Sequence, residues 1–431
     1  MRSSATLKVL SIAFLVLVLL IPTGMISSLM KERQSRRDSV VQEISEKWGN
    51  SQTIAGPYFT VPFKSFYRDK EDQLKFNIHY LHILPKNLSI TGKIDPQIRY
   101  RSLYEAVLYD AQISMSGSFT IPSLNQTDIE PENVLWEKAV FSIGITDMRG
   151  IRNNITITFN GKNYEVSPGL KTPDIAASGV QCLIPLSPAH RDMTFSTQLN
   201  LKGSEQLQFI PVGETTSVHL KSKWPSPSFN GAFLPATREI TENGFTAAWS
   251  ILHLNRNYPQ FWVGKQYKVS DSSFGLKLVI TADKYQKSIR ISKYALVFII
   301  FTFAAFFVSE IISKRRIHPI QYILVGLAVI LFYVLLLAIS EHLNFDVAYI
   351  LSAVAITTII TGYSRGISKN NLFAVTVCGL LVFLYAYLYI VLQLEDYALI
   401  MGSIGLFVVL TTVMYITRKI DWYSLDKDPL Q

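Results

Sequence analysis

A serine between two glycines is the first residue whose setting could do chemistry. Residues 362–366 read Gly-Tyr-Ser-Arg-Gly. They match the Gly-x-Ser-x-Gly nucleophile elbow, in which a strand, a sharp turn and a helix present the serine to a histidine. Here Ser364 lies at the end of a long apolar run, and no histidine follows it in the sequence. We therefore expect Gly362 and Gly366 to end a membrane helix beside Arg365, and we do not expect Ser364 to be catalytic.

Two histidines three residues apart could bind a metal if they shared one face of a helix. His79 and His82 stand in Asn-Ile-His-Tyr-Leu-His, which reads as a strand. Positions i and i+3 of a strand point to opposite faces, so joint ligation is not expected. His318 and His342 flank apolar runs and are interpreted as interface residues. The sequence therefore predicts no catalytic, metal-ligating or cofactor-binding residue, and no cofactor.

Ion-coupled transporters usually carry ionisable side chains deep in the bilayer. Glu310 interrupts an apolar run but stands in its last turn, close in sequence to Arg315 and Arg316, which could neutralise it. The later apolar runs contain neither charged residues nor Gly or Pro pairs that would break a helix. This pattern disfavours ion or proton coupling and leaves open an uncharged path for a lipid or peptide.

The formal net charge of +9 could indicate a nucleic-acid partner. Much of the excess lies in short loops between apolar runs, and no basic face interleaved with aromatic residues stands out, so no nucleic-acid binding is expected. Four basic residues also recur every three or four positions before the second apolar run, namely Lys284, Lys287, Arg290 and Lys293. They predict a helix whose basic stripe either lies near anionic lipid headgroups or is simply solvated.

Six apolar segments are long enough to cross a bilayer. The chain has 431 residues, of which 49% are hydrophobic, and about 20 apolar helical residues span a hydrocarbon core of roughly 30 Å. The segments are residues 9–29, 294–313, 320–340, 347–364, 370–394 and 397–417. The first could instead be a cleaved signal peptide with Arg2 and Lys8 as its basic region. It is longer than a signal core, and no Ala-x-Ala pattern follows, so we predict a retained anchor.

Basic residues in short loops predict which loops are cytoplasmic. Three regions are rich in them: Lys314, Arg315 and Arg316; Arg365 and Lys369; and Arg418, Lys419 and Lys427. The alternating loops hold only Glu341, His342, Asp346, Glu395 and Asp396 as charged or titratable residues. A basic cluster after the first span, Lys31, Arg33, Arg36 and Arg37, opposes this assignment. A long domain, however, translocates largely regardless of its charge. We predict that both termini are cytoplasmic and that the residues between the first two spans lie on the opposite side.

The residues between the first two spans read as a β-rich domain. Val40, Val41, Ile44 and Trp48 fall at helical spacing, and Gly49 would end that helix. Residues 155–159 alternate apolar and polar side chains before Asn160-Gly161, a signal for a hairpin with a type I′ turn. Similar runs occur at residues 75–84, 193–201, 206–212, 217–221, 244–254 and 261–269. An all-β, sandwich-like fold is predicted, with no disulfide between Cys182 and Cys378.

Several stretches of the domain resemble the CreD family of inner-membrane proteins. They are Glu-Ile-Ser-Glu-Lys-Trp-Gly at 43–49, Gly-Pro-Tyr-Phe-Thr-Val-Pro at 56–62, Gly-Ser-Glu-Gln-Leu-Gln-Phe-Ile-Pro-Val-Gly at 203–213, Ser-Lys-Trp-Pro-Ser-Pro-Ser-Phe-Asn-Gly-Ala-Phe-Leu-Pro at 222–235, Gly-Phe-Thr-Ala-Ala-Trp at 244–249 and Tyr-Pro-Gln-Phe-Trp at 258–262. The resemblance covers nearly the whole chain. It implies one N-terminal span, a large periplasmic part and a C-terminal cluster of spans, with links to envelope stress and colicin tolerance. It implies no reaction, ligand or functional residue.

The predicted protein is a bacterial inner-membrane protein with six transmembrane helices, one plus five, and a large β-rich periplasmic domain between helices 1 and 2. The domains are an anchor at 1–30, the periplasmic domain with its N-terminal helix at 31–292, five membrane helices at 293–417 and a cytoplasmic tail at 418–431. We expect a non-enzymatic role in envelope integrity and stress tolerance. The predicted partners are the lipid bilayer and periplasmic proteins or cell-wall components. A transporter or lipid-handling protein and a membrane enzyme are the alternatives. Trp224, Phe229 and Phe233 are predicted to be either binding anchors or core residues.

Overall fold

The chain forms two compact units. A computed structural model describes residues 5–124, 129–187, 192–280, 284–313, 317–368, 371–393 and 398–418. One unit consists of residues 1–38 and 282–431, and the other of residues 39–281. Residues 31–38 of the first helix and the short basic helix before the second apolar run group with the helical unit, and the predicted domain boundaries at residues 31 and 293 stay predictions.

Helices occupy all six predicted apolar segments within the described residues. The helices are α1 (Ala5–Trp48), α2 (Lys284–Ser292), α3 (Ala295–Ser313), α4 (Pro319–Ser340), α5 (Phe345–Ser368), α6 (Asn371–Gln393) and α7 (Ala398–Thr417). Among the residues that the structure describes, four stretches are long and apolar enough to cross a membrane: Leu10–Trp48, Pro319–Ser340, Phe345–Ile367 and Asn371–Gln393. In α3 the apolar stretch Ala295–Ala304 is shorter. The protein is therefore a membrane protein, and the count of six spans remains a prediction.

The predicted helix that leads out of the first span is confirmed. α1 continues to Trp48, and Gly49 follows it with a φ of +151°, a conformation that side-chain-bearing residues rarely adopt. A Cβ at Gly49 would also lie 2.9 Å from the carbonyl oxygen of Lys202. The chain thus turns out of the helix at a position where only glycine fits both the backbone angle and the space.

The unit of residues 39–281 is built from strands. Their bounds are β1 (Gln52–Arg68), β2 (Leu74–Ile83), β3 (Asn87–Arg101), β4 (Tyr104–Phe119), β5 (Val140–Ile145), β6 (Thr156–Phe159), β7 (Lys162–Glu165), β8 (Ser167–Pro168), β9 (Gly179–Leu183), β10 (Met193–Ser204), β11 (Gln206–Ile210), β12 (Thr215–Ser222), β13 (Pro227–Gly231), β14 (Thr237–Thr241), β15 (Gly244–Leu252), β16 (Phe261–Val263) and β17 (Phe274–Leu278). Each predicted strand run contains a strand. Residues 261–269 form one only as far as Val263.

Within the described residues, the strands form two sheets. The first has nine strands, in the order β13-β17-β11-β1-β5-β9-β8, with β2 on β1 and β16 on β2. The second has eight, in the order β14-β15-β12-β3-β4-β10-β6-β7. Most neighbours are antiparallel, but β1 pairs with β11 and β3 with β12 in parallel. Each parallel pair joins segments that are far apart in the chain.

The two sheets pack face to face around an aromatic core. The ring of Phe59 in β1 lies 4.8 Å from that of Phe119 in β4 and 5.6 Å from that of Phe159 in β6. Phe59 and Phe119 are fully buried, and edge-on ring pairs at these distances add to the stabilisation from buried apolar area. The predicted sandwich-like arrangement is thus confirmed.

The predicted hairpin is confirmed in its strands and its turn. β6 pairs with β7, and the connecting residues Asn160 and Gly161 have φ angles of 48° and 79°. Positive φ at both central positions defines the type I′ turn, which Asn-Gly favours because both residues tolerate that region. The Asn160 side chain also accepts a hydrogen bond from the backbone amide of Thr194 at 2.8 Å, which ties the turn to β10.

Candidate functional site

A buried polar cluster lies on the outer side of β1 and β2. The His82 side chain is fully buried, and its Nε2 lies 2.9 Å from Oδ2 of Asp174 in the segment between β8 and β9. Its Nδ1 lies 3.2 Å from Oγ1 of Thr60. Both bonds are satisfied when the neutral ring donates from Nε2 to the carboxylate and accepts from the threonine hydroxyl. Trp262 covers the imidazole at 5.7 Å between ring centroids, and Tyr58 packs edge-on at 6.3 Å.

The cluster contains a hydroxyl, an imidazole and a carboxylate, as a catalytic triad does, but the solvent exposure of these groups does not fit a triad. A nucleophile must meet the substrate, while the carboxylate that orients the base is the buried member. Here Thr60 is 1% exposed, whereas the Asp174 side chain is 16% exposed. The arrangement therefore anchors the segment that carries Asp174 to the sheet. His79 lies exposed beside Phe63, so the prediction that the two histidines do not share a ligand is consistent with this geometry.

The buried His82 should make the stability of the protein depend on pH. Burial lowers the pKa of His82, and Asp174 offsets that effect only in part. The folded state therefore resists a proton that the unfolded chain accepts near pH 6.5. We expect the melting temperature to be highest above that pH and to fall as pH decreases from 7.5 to 5.5. His82→Gln should flatten this dependence in thermal melts, whereas His219→Gln, a change at an exposed strand histidine, should preserve it. Equal slopes in all three proteins would contradict the assignment.

A half-buried arginine, Arg256, joins two of the stretches that resemble the CreD family. The Arg256 guanidinium donates to the carbonyl oxygens of Tyr258 at 2.6 Å, Val212 at 3.2 Å and Gly213 at 3.3 Å, and also to the side chain of Gln260. Burial lowers the pKa of Arg256, and its described hydrogen bonds go to carbonyl and amide oxygens. The Pro-Val-Gly and Tyr-Pro-Gln-Phe-Trp motifs therefore have a structural role, which sequence reasoning did not assign.

A two-stranded extension of the first sheet exposes apolar side chains. We call it the apolar ribbon: residues 64–68 of β1 and residues 74–78 of β2, which pair with each other. The ribbon begins beyond the last residues that pair with other strands or bridges, which are Phe63 in β1, bridged to Val134, and Leu81 in β2, paired with Val263. One face carries four large apolar residues that are 46% to 67% exposed, namely Phe66, Leu74, Phe76 and Ile78. The same face carries two basic residues, Lys64 and Arg68. The ribbon is thus amphipathic.

The aromatic residues that the sequence offered as anchors pack against the core instead. Phe229 lies 5.7 Å from Trp249, and Phe233 lies 6.0 Å from Phe274, both measured between ring centroids. The indole nitrogen of Trp224 donates to backbone carbonyls, including that of Val279 at 3.1 Å. The core interpretation of these residues is therefore the one the structure supports.

The serine motif lies inside a continuous helix. α5 runs on to Ser368, so the expectation that Gly362 and Gly366 end the helix is wrong; helical hydrogen bonding tolerates both glycines here. Ser364 is fully buried, and its hydroxyl donates to the carbonyl oxygen of Ile360 at 2.7 Å. A nucleophile elbow needs a strand followed by a sharp turn. This motif therefore lacks the geometry of a nucleophile elbow.

A buried ionic cluster occupies one end of the helical unit. Glu310 of α3 accepts from the Lys8 ammonium of α1, and its other oxygen accepts from the Tyr322 hydroxyl of α4 at 3.0 Å. It also accepts from the backbone amide of Ile317 at 3.1 Å. The predicted neutralising residues, Arg315 and Arg316, lie outside the described residues. Lys8, which sequence reasoning considered only as a signal-peptide feature, is a charge partner of Glu310.

The opposite end of the helical unit also pairs charged residues. Arg33, which follows the apolar part of α1, lies 3.7 Å from Glu341 at the end of α4. Asp346 at the start of α5 accepts from Tyr389 of α6 at 3.1 Å. Arg33 therefore lies at the same end of the helical unit as the acidic residues Glu341 and Asp346, and Glu341 offsets part of its charge. The predicted orientation of the loops across the membrane remains a prediction.

The basic stripe before the second span is helical in three of its four residues, Lys284, Lys287 and Arg290, whereas Lys293 lies in the turn that follows α2. In α2, Tyr285 and Ile291 are buried within the helical unit. The Lys287 ammonium lies 5.4 Å from the ring centroid of Phe345, a cation–π distance. Among the residues described in both units, no group of three or more His, Cys, Asp or Glu side chains is arranged to hold a metal ion.

These two units define a membrane protein that combines apolar helices with a large two-sheet β-rich domain. The family model described as "Inner membrane protein CreD" matches residues 4–423. The chain belongs to the CreD family. It is also 30% identical to the inner membrane protein CreD of Escherichia coli (strain K12) over 436 aligned residues, which cover 98% of this chain and 95% of that protein.

Proposed function

We propose that this protein is a non-enzymatic inner-membrane protein that supports envelope integrity and stress tolerance through contacts made by its β-rich domain. The observation that carries the proposal is the apolar ribbon, because four large apolar side chains on one exposed face mark an interaction surface. The occupant that fits this face is the surface of a lipid bilayer. Lys64 and Arg68 flank the apolar row, and such side chains reach lipid phosphates while apolar neighbours enter the interface.

The chain also tethers the β-rich unit to the membrane. The chain joins the β-rich unit to apolar helices at both of its ends, α1 before it and α3 after it. A tethered surface is present at high effective concentration, so even a modest apolar contact can form without a separate encounter step. Periplasmic proteins and cell-wall components are the competing partners. The accessibility of spin labels on the ribbon to oxygen and to a nickel complex distinguishes a lipid contact from either of them.

The test places spin labels on both faces of the ribbon in the full-length protein in nanodiscs. Labels at Ile78 and Phe66 should be accessible to oxygen but shielded from a water-soluble nickel complex, while a label at Asn77 on the opposite face should react with the nickel complex. In cells, replacing Phe66, Phe76 and Ile78 by serine should raise sensitivity to detergent or colicin at normal protein abundance. Ser65→Ala is the matched control. Equal nickel accessibility on both faces would refute the lipid contact.

The proposed topology has six spans, both termini in the cytoplasm and the β-rich domain in the periplasm. The Lys8 and Arg33 contacts support α1 as a retained part of the helical unit. Cysteines introduced at Ser167 and Asn344 should react with an impermeant thiol reagent in intact cells, in a background in which Cys182 and Cys378 are alanine. One at Ser368 should react only after lysis. Labelling at residue 368 in intact cells, with residue 167 protected, would reverse the orientation.

A lipid-handling role for the helices is the second candidate. Among the described residues, the hydroxyls of Tyr333 in α4 and Tyr385 in α6 are buried without a hydrogen-bond partner. An unpaired hydroxyl in an apolar interior costs free energy, so such groups are candidates for contacts with a polar ligand group. Replacing both residues with phenylalanine should leave envelope tolerance unchanged if the β-rich domain alone carries the function, and should reduce it if the helices handle a ligand.

A further inference from the structure

The outward face of the second sheet carries two adjoining clefts that the proposed function does not use. Their volumes are about 470 and 390 Å³, which is the size range of small-molecule sites. Strands β3, β12, β14 and β15 form the floor and walls. Both clefts are lined by Lys221, Glu239 and Thr246, so they form one continuous depression, which we call the lysine cleft.

Two lysines stand side by side on the floor of the lysine cleft. Lys93 of β3 and Lys221 of β12 are direct partners in the parallel ladder, and both are exposed, whereas the residues that follow and precede them, Ile94 and Leu220, are buried. The two ammonium groups therefore point out from the same face. Like charges at directly opposed positions destabilise a sheet. Lys223 follows at the next outward position and also lines the cleft.

The cationic groups of the cleft are not neutralised by ion pairs. Within the described residues, no salt bridge joins Lys93, Lys221 or Lys223 to a carboxylate. The lining contains two acidic residues, Asp95 and Glu239. It contains four basic residues, namely Lys93, Lys221, Lys223 and Arg238. The excess of positive charge is thus small and local. It suits one or two anionic groups and does not suit the long phosphate track that a nucleic acid requires.

Hydroxyl groups line the same depression. Thr91, Thr237 and Thr246 project into it from three different strands. A threonine hydroxyl both donates and accepts, and it pairs readily with a ligand that is itself rich in hydroxyls. Lysine ammonium groups supply charge-assisted bonds to phosphate or carboxylate oxygens, which are stronger than bonds between neutral groups.

We propose that the lysine cleft binds a small hydroxyl-rich ligand that carries one or two phosphate or carboxylate groups. Such a group would lie between Lys93 and Lys221 and would remove their mutual repulsion. A phosphorylated sugar and the phosphoglycerol headgroup of a lipid share this chemistry. The proposal rests on different residues from those of the apolar ribbon, so each can fail while the other stands.

The test compares thermal melts of the full-length protein in phosphatidylcholine nanodiscs. Glucose 1-phosphate should raise the melting temperature, while glucose, or potassium chloride at matched ionic strength, should not. Lys221→Gln and Lys93→Gln should each weaken glucose 1-phosphate binding about tenfold or more in titration calorimetry, since each removes a charge-assisted bond. Without ligand, the same variants should melt at the wild-type temperature or higher, because they relieve repulsion. Lys138→Gln, a change at an exposed lysine outside the cleft, is the matched control.

A further arm distinguishes the sources of the anionic group. If nanodiscs that contain phosphatidylglycerol stabilise the wild type but not Lys221→Gln, the cleft takes a lipid headgroup. If only glucose 1-phosphate does so, it takes a soluble or glycan-borne group. Either result supports the proposal. It is overturned if no anion shifts the melting temperature of the wild type, or if the shift is as large in Lys221→Gln as in the wild type.

Discussion

Replacing Arg256 with leucine is expected to lower the melting temperature of the β-rich domain by on the order of 10 °C. The change removes the donor shared by the carbonyl oxygens of Val212, Gly213 and Tyr258 and leaves them partly buried without it. Unsatisfied buried acceptors cost about 1–3 kcal/mol each, reduced here by any water that enters, so a total of about 2–4 kcal/mol is expected. For a domain of this size each kcal/mol corresponds to about 2–4 °C. Circular dichroism melts measure the effect.

Two further variants distinguish the loss of the guanidinium hydrogen bonds from the loss of a positive charge and from the loss of a surface arginine. Arg256→Lys keeps a positive charge but cannot present several fixed donors at once, so it should recover only part of the lost stability. Arg152→Leu breaks an exposed ion pair with Asp110 and should change the free energy of unfolding by less than about 0.5 kcal/mol. A melting temperature for Arg256→Leu within a degree of the wild type would mean that the arginine does not hold the two motifs together.

Replacing Glu310 with leucine is expected to destabilise the helical unit by about 3–5 kcal/mol, since it leaves the Lys8 ammonium largely buried without this carboxylate. Tyr322 and the amide of Ile317 lose an acceptor in the same change. The measurement is the fraction of protein that stays monodisperse in detergent after heating. The variant should aggregate at a clearly lower temperature than the wild type.

A double variant tests whether the unpaired Lys8 ammonium causes the destabilisation expected for Glu310→Leu. Lys8→Met removes the charge that Glu310→Leu leaves behind, so the pair of changes should cost less than Glu310→Leu alone. A strictly additive result would show that the two side chains do not interact.

Gly326→Leu offers an independent check of how α1 packs, because a Cβ at residue 326 would lie 2.3 Å from Leu19 of α1 and 2.9 Å from Phe303 of α3. It should weaken the packing of α1 without changing any charge.

Local patterns predicted the helices of this protein and part of its strands. The helices at the apolar runs follow from composition and length, and the Asn160-Gly161 turn follows from the φ angles that those two residues tolerate. Alternating side chains located eight of the seventeen described strands, because period two is a property of the chain itself. The three longest strands, β1, β3 and β4, lie outside the predicted runs, and β1 is buried on both faces over much of its length, so it shows no such alternation. The end of α5 was predicted wrongly because the prediction relied on a local signal. Gly362 and Gly366 suggested that the helix stops there, but it continues to Ser368.

Pairing between distant segments was decided only by the tertiary structure. His82 meets Asp174 across 92 residues of sequence, and the parallel pairing of β3 with β12 sets Lys93 opposite Lys221. No periodicity carries such information, because register between remote strands depends on how two whole faces bury their apolar residues together. Charge partners are equally non-local, as Lys8 and Glu310 show. The sequence by itself determined a membrane protein with a β-rich domain, and the packing of its sheets and helices decided which polar groups meet.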